Sequence, residues 1–117
     1  MESEIQNILR VISNSRFPLH NEKELQIAIE NLFTKKGIQF DREYRLDDKN
    51  IPDFFISGIA IEIKIKGSAK AIYKQCVRYC AFTDVQSLIL VTNKSMGFPE
   101  DINRKPCYVI NLGKAWL

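Results

Sequence analysis

The spacing of apolar residues changes period several times along the chain, and each change marks an element. Over residues 3–14, Ile5, Ile8, Leu9 and Ile12 recur every three or four positions, which predicts an amphipathic helix. Residues 22–36 repeat the pattern with Leu25, Ala28, Ile29, Leu32 and Phe33, and Gly37 ends this second helix. Pro18 disfavours helix at Phe17, so the stretch between the two is a connector. The period then drops to two: Ile38, Phe40, Arg42, Tyr44 and Leu46 alternate with polar neighbours, and a polar turn, Asp47 to Asn50, precedes IPDFFISGIAIEIKIK. Three strands are expected here. Helical spacing returns in SAKAIYKQCVRYCAF, with Ala69, Ile72, Tyr73, Cys76, Tyr79 and Cys80 on one side. SLILVT, almost wholly apolar, reads as a strand covered on both faces and parallel to its neighbour through a helical crossover. CYVINL is the last strand, and the 93–106 loop, with Gly97, Pro99 and Pro106, is the segment expected to be least ordered. The order α-α-β-β-β-α-β-β predicts an α/β fold, a mixed sheet of about five strands with helices on both sides.

A length of 117 residues suits one hydrophobic core, hence a single domain over 1–117, with 1–20 as leading helix and connector and 21–117 as core. An apolar share of 45% against 26% charged residues excludes the disordered class. No apolar run approaches the roughly 18 residues of a spanning helix, and the first residues are acidic. A cytoplasmic protein without a membrane partner is expected. Three cysteines, an odd number, fit reduced thiols better than disulfides, and Cys76, Cys80 and Cys107 do not follow a recognised zinc spacing. A net charge of +3 permits a polyanion partner without demanding one.

Candidate chemistry lies in IAIEIKIK, where Ile61, Ile63 and Ile65 share one strand face and Glu62, Lys64 and Lys66 share the other. If Ser57-Gly58 forms a two-residue hairpin turn, Ile56 pairs with Ile59, and counting back sets Asp53 opposite Glu62. Opposed carboxylates destabilise a hairpin unless something neutralises them, and a divalent cation would. Two converging carboxylates are hard oxygen ligands of the kind Mg²⁺ accepts, with room left for water and phosphate oxygens. Lys64 lies beside that point, and the hairpin is expected to carry this site at the edge of the sheet. The alternative is a solvated strand face with Glu62 paired to a lysine.

Glu24, Pro52-Asp53 and Glu62-Ile63-Lys64 together resemble the pattern of the PD-(D/E)XK nuclease superfamily: an acid on a leading helix, then Pro-Asp, then Glu-x-Lys on adjoining strands. Gln75 and Tyr79 on the next helix resemble the Gln-x-x-x-Tyr motif of its RecB-like and Cas4-like branch, while the chain's size is nearer to Holliday-junction resolvases and phage nucleases. The resemblance implies a restriction-endonuclease-like αβββαβ core and hydrolysis of phosphodiesters, preferably in DNA, with Mg²⁺ or Mn²⁺. It implies Asp53, Glu62, Glu24 and the Ile63 carbonyl as metal ligands, and Lys64 and Gln75 as further catalytic groups. It leaves endonuclease against exonuclease, and monomer against homodimer, open. Glu24 has a second reading, because Asn21-x-x-Glu24 also forms a capping box; Glu43 and Glu30 are its substitutes. Tyr79 is expected to line the nucleic-acid cleft, and Lys70, Lys74 and Arg78 repeat every four residues beside it, a cationic strip for phosphates that Lys66 joins if the substrate runs along the strand. A catalytically silent nucleic-acid-binding module and a structural subunit of a larger assembly are the alternatives.

Overall fold

The computed structural model describes residues 2–113. Two helices lead, α1 (Glu4–Ser13) and α2 (Glu22–Lys35), each started by a side chain that accepts from the third backbone N–H: Ser3 for α1, Asn21 for α2. The strands are β1 (Asp41–Arg42), β2 (Phe54–Ile56), β3 (Ile59–Lys64), β4 (Ser87–Thr92), β5 (Asp101–Ile102) and β6 (Lys105–Asn111), with α3 (Ala69–Tyr79) crossing between β3 and β4. They form one mixed sheet in the order β1-β2-β3-β4-β6-β5, parallel across β3-β4-β6 and antiparallel elsewhere. The α/β class therefore holds.

Alternation along the strands sorts the core into two layers. Ile59, Ile61 and Ile63 of β3, with Ile89 and Val91 of β4, pack under α1 and α2 against Ile8, Ile12, Leu25, Ile29 and Phe33. The opposite face carries Leu88, Leu90 and Cys107 against Ile72, Cys76, Tyr79 and Cys80 at α3. β4 is buried at all six positions, as its unbroken apolar run requires. Tyr73, expected on the buried side of α3, is instead 40% exposed and meets Phe98 edge-on at 5.8 Å.

Three expectations change. The 38–46 strand shrinks to Asp41–Arg42, because Glu43 takes a positive φ of 50° and reverses the alternation. Ile38 and Phe40 before it join the α1/α2 layer, whereas Tyr44 and Leu46 after it pack against Phe55 and Ala60 on the other face. The sheet has six strands, since the 93–106 loop contains β5 and closes a hairpin onto β6 through Asn103 and Arg104, both at positive φ. Finally, β3 is third in the sheet and not at its margin, so the candidate residues expected at the sheet edge sit in the interior.

Candidate active site

Ser57 and Gly58 both adopt positive φ, the type I′ geometry that a two-residue hairpin favours, and they set Ile56 opposite Ile59 and Phe54 opposite Ile61. The next pair outward is Asp53 and Glu62, and the Asp53 N–H donates to Glu62 Oε1 at 3.3 Å. Asp53 and Glu62 are thus neighbours just past the end of the β2 ladder, joined through the Asp53 backbone.

β3 outlasts its hairpin partner. β2 begins at Phe54, whereas β3 runs on to Lys64, leaving the β2 side of Ile63 and Ile65 without a strand to bond. Two side-chain carboxylates fill the gap: Asp53 Oδ2 accepts from the Ile63 N–H at 2.8 Å, and Glu22 Oε1 from the Ile65 N–H at 3.0 Å. Since the N–H and C=O of one antiparallel strand residue face the same partner, the Ile63 carbonyl opens toward Asp53 as well.

Glu62 points to the α3 side of the sheet, where it is not solvated as its strand-face pattern suggested; its side chain is 3% exposed. The Tyr79 hydroxyl donates to Glu62 Oε1 at 3.1 Å and accepts from the Gln75 amide at 2.8 Å. Lys64 Nζ lies 3.7 Å from Glu62 Oε2. On the other side, Gln26 Nε2 donates to Asp53 Oδ1 at 3.2 Å, and Arg42 Nη2 donates to Gln26 Oε1 at 3.1 Å. Arg42 also donates to the Asp53 carbonyl (3.1 Å) and to Glu30 (2.8 Å) while its guanidinium covers the Phe54 ring.

Burial pushes the Asp53 carboxyl up to about 6, against the pull of the Ile63 N–H and of Lys64. Glu62 is pushed further, to about 8, by burial first and then by Asp53, with Lys64 and the Tyr79 hydroxyl opposing. The phenol of Tyr79 is raised by burial and by Glu62. Close acidic groups out of water hold a shared proton tightly until a cation compensates them. Asp53, Glu62 and the Ile63 carbonyl are neighbouring hard oxygen donors, a type of donor set that a divalent ion accepts while keeping several waters. Among the described residues no three His, Cys, Asp or Glu side chains converge as a ligand set.

Several expected site residues sit elsewhere. Glu24 is not at the carboxylate pair: its carboxylate meets His20 at 2.8 Å, more than half exposed, and its backbone N–H is capped by Asn21. Tyr79 is fully buried, so it belongs under Glu62 and not on a nucleic-acid surface. Lys66, Lys70 and Lys74 are exposed, as is Arg78, whose Nε donates to Asn50 at 3.2 Å and ties α3 to the 47–50 turn. Of the substitutes for Glu24, Glu30 is held by Arg42, and Glu43 faces outward beside the site.

The motif pattern does not single out Glu22 and Gln26, although the sequence carries a signal for them. Glu22, Gln26 and Glu30 recur every four residues on α2, a polar stripe beside the face that buries Leu25, Ile29 and Phe33. Each meets the sheet: Glu22 at Ile65, Gln26 at Asp53 and Arg42, Glu30 at Arg42. Beside them a groove of about 630 Å³ opens between the start of α2, Glu43 and Lys66. Comparison of the chain with protein-family models, with curated proteins and with solved structures returned no match.

Proposed function

We propose that the protein is a metal-dependent nuclease that hydrolyses phosphodiester bonds, with DNA the preferred substrate. The observation that carries this reading is the adjacency of half-buried Asp53 and buried Glu62 at the end of β2, with Lys64 beside them. Asp53, Glu62 and the Ile63 carbonyl would hold Mg²⁺ or Mn²⁺, which supplies Lewis-acid polarisation of the phosphate and a lowered pKa for an attacking water. Lys64, 3.7 Å from Glu62, places a mobile cation where charge grows on the phosphorane oxygens, or orients the water. Gln75 acts one step back, fixing the Tyr79 hydroxyl that in turn fixes Glu62. Gln26 and Ile63 fix the two oxygens of Asp53 in the same way.

One observation favours the silent nucleic-acid-binding module instead. Lys64 and Tyr79 already neutralise and hydrogen-bond Glu62 from within the chain, which is how a purely structural polar cluster is satisfied. A cleavage assay separates the two. Linear, circular and single-stranded DNA and RNA are incubated with Mg²⁺, Mn²⁺ or EDTA, alongside Glu62→Gln and Lys64→Ala. The nuclease reading expects cutting that EDTA abolishes and that each substitution lowers by about a hundredfold or more with the melting transition retained. Binding without turnover under every condition would establish the silent module.

A further inference from the structure

The groove beside Asp53 has features that neither the carboxylate pair nor the α3 strip requires. It is bounded by Glu22, Lys23 and Ile27 on the first two turns of α2, by Arg42 and Glu43, and by Lys66 just past β3. Its volume of about 630 Å³ lies in the range of sites that enclose a small organic molecule. Its wall includes Ile27, an aliphatic side chain left 47% exposed. Lys23 and Lys66 have no carboxylate partner among the described residues, and Glu43 likewise has no cationic one. Glu43 is moreover held at a φ of 50°, a conformation unfavourable for a side-chain-bearing residue, by its N–H donating to the Asp53 carbonyl at 3.0 Å. The strained residue therefore ties the groove wall directly to the backbone of the Asp53 site. Glu22 joins the two from the other side, one carboxylate oxygen on the Ile65 N–H and the residue itself in the groove wall.

We propose that this groove holds a single unpaired nucleotide flanking the scissile phosphate, so that the enzyme acts on single-stranded or overhanging nucleic acid in preference to blunt duplex. The inference rests on the nuclease reading and names its substrate class. Lys66, two residues beyond Lys64, and Lys23 take the flanking phosphates as mobile point charges. Ile27 meets the face of the base, and the Glu22 and Glu43 carboxylates accept from its exocyclic amino or ring N–H groups. Those edges are engaged in a duplex, and a stacked base must leave the stack to enter a pocket, at a cost that is least where the base is already unpaired. A groove of this size next to the chemistry thus selects against intact duplex.

Fluorescence anisotropy in EDTA, which prevents turnover, reads the preference directly. Labelled single-stranded DNA, single-stranded RNA, a duplex with an overhang and a blunt duplex are titrated with wild type and with the double variant Ile27→Asp/Lys66→Gln. Both substituted side chains are exposed, and melting curves verify the fold. Wild type is expected to bind the single strand and the overhang at least about tenfold tighter than the blunt duplex, and the double variant to lose that margin. Equal affinity for all four probes, or a preference that survives in the double variant, overturns the groove proposal while leaving the nuclease reading standing. Absence of binding to every probe, together with absence of metal-dependent cutting, removes both.

Discussion

Glu62 sits between influences of opposite sign. Burial and Asp53 favour its protonated form, while Lys64 and the Tyr79 hydroxyl favour the anion, and the balance pushes its carboxyl from 4.5 to about 8. Between those values the folded chain binds a proton that the unfolded chain has released. Stability from this group is accordingly complete below the unfolded value and is lost as pH rises through the folded one. Without divalent ions the melting temperature should fall from about pH 5 to pH 8. Glu62→Gln, which cannot ionise, should flatten that fall and melt above wild type at the upper end, yet lose any rise produced by Mn²⁺. A wild-type melting temperature that does not vary across this range would show that Glu62 does not hold a proton in the fold. Glu24 shows the limit of reading a residue by motif position alone. Its place in the pattern matches, but on a helix, positions 22 and 24 point about 200° apart, and it is Glu22 that faces β3.

At the scale of elements, the β2–β3 hairpin determines whether Asp53 and Glu62 meet at all. A slip of one residue would carry one of them to the other face of the sheet. The Ser57-Gly58 turn fixes the register, with Ser57 held at a φ of 47° that asparagine tolerates better. Ser57→Asn should therefore raise stability by about 0.5–1 kcal/mol, measured by urea denaturation, with the site chemistry unchanged. Destabilisation would mean that the turn is not of the I′ type. This hairpin is legible in the sequence because its register follows from counting outward from a turn. The 38–46 strand is not: its even-numbered alternation is unbroken in the sequence, and a single left-handed residue, Glu43, reverses which face those positions occupy. Glutamate gives no sign of a positive φ, unlike the Asn103 that begins the β5–β6 turn.

Across the whole molecule, function would need a path for a polyanion over the mouth of the Asp53–Glu62 gap. Two exposed basic groups are available: Lys66 with Lys23 at the α2 groove, and Lys70, Lys74 and Arg78 along α3. Replacing Lys70, Lys74 and Arg78 with Gln should weaken DNA binding and flatten the slope of log K against log salt by about 0.9 for each duplex phosphate that is no longer neutralised. Retention of the wild-type slope would mark the strip as a solvated helix face and leave the α2 side as the path. The α/β class, the parallel crossover and the two-layer core were all readable from apolar period. What lay beyond the sequence was the depth of the site: Glu62, Lys64 and Lys66 alternate like a solvated face, and only the placement of α3 over β3 puts Tyr79 against Glu62 and takes that carboxylate out of water. No helix among the described residues is long and apolar enough to cross a membrane.

Calorimetric titration of Mn²⁺ into the wild-type protein and into Asp53→Asn, repeated from about pH 6 to pH 8, puts the carboxylate pair itself to the test. Because Asp53 and Glu62 must release their proton to bind a cation, affinity for Mn²⁺ should climb with pH across this interval, with proton release accompanying binding. Asp53→Asn should abolish the binding while retaining a cooperative melting transition. Saturable binding that is unchanged by Asp53→Asn, or no binding in the wild type at any pH, would contradict a metal site at Asp53 and Glu62.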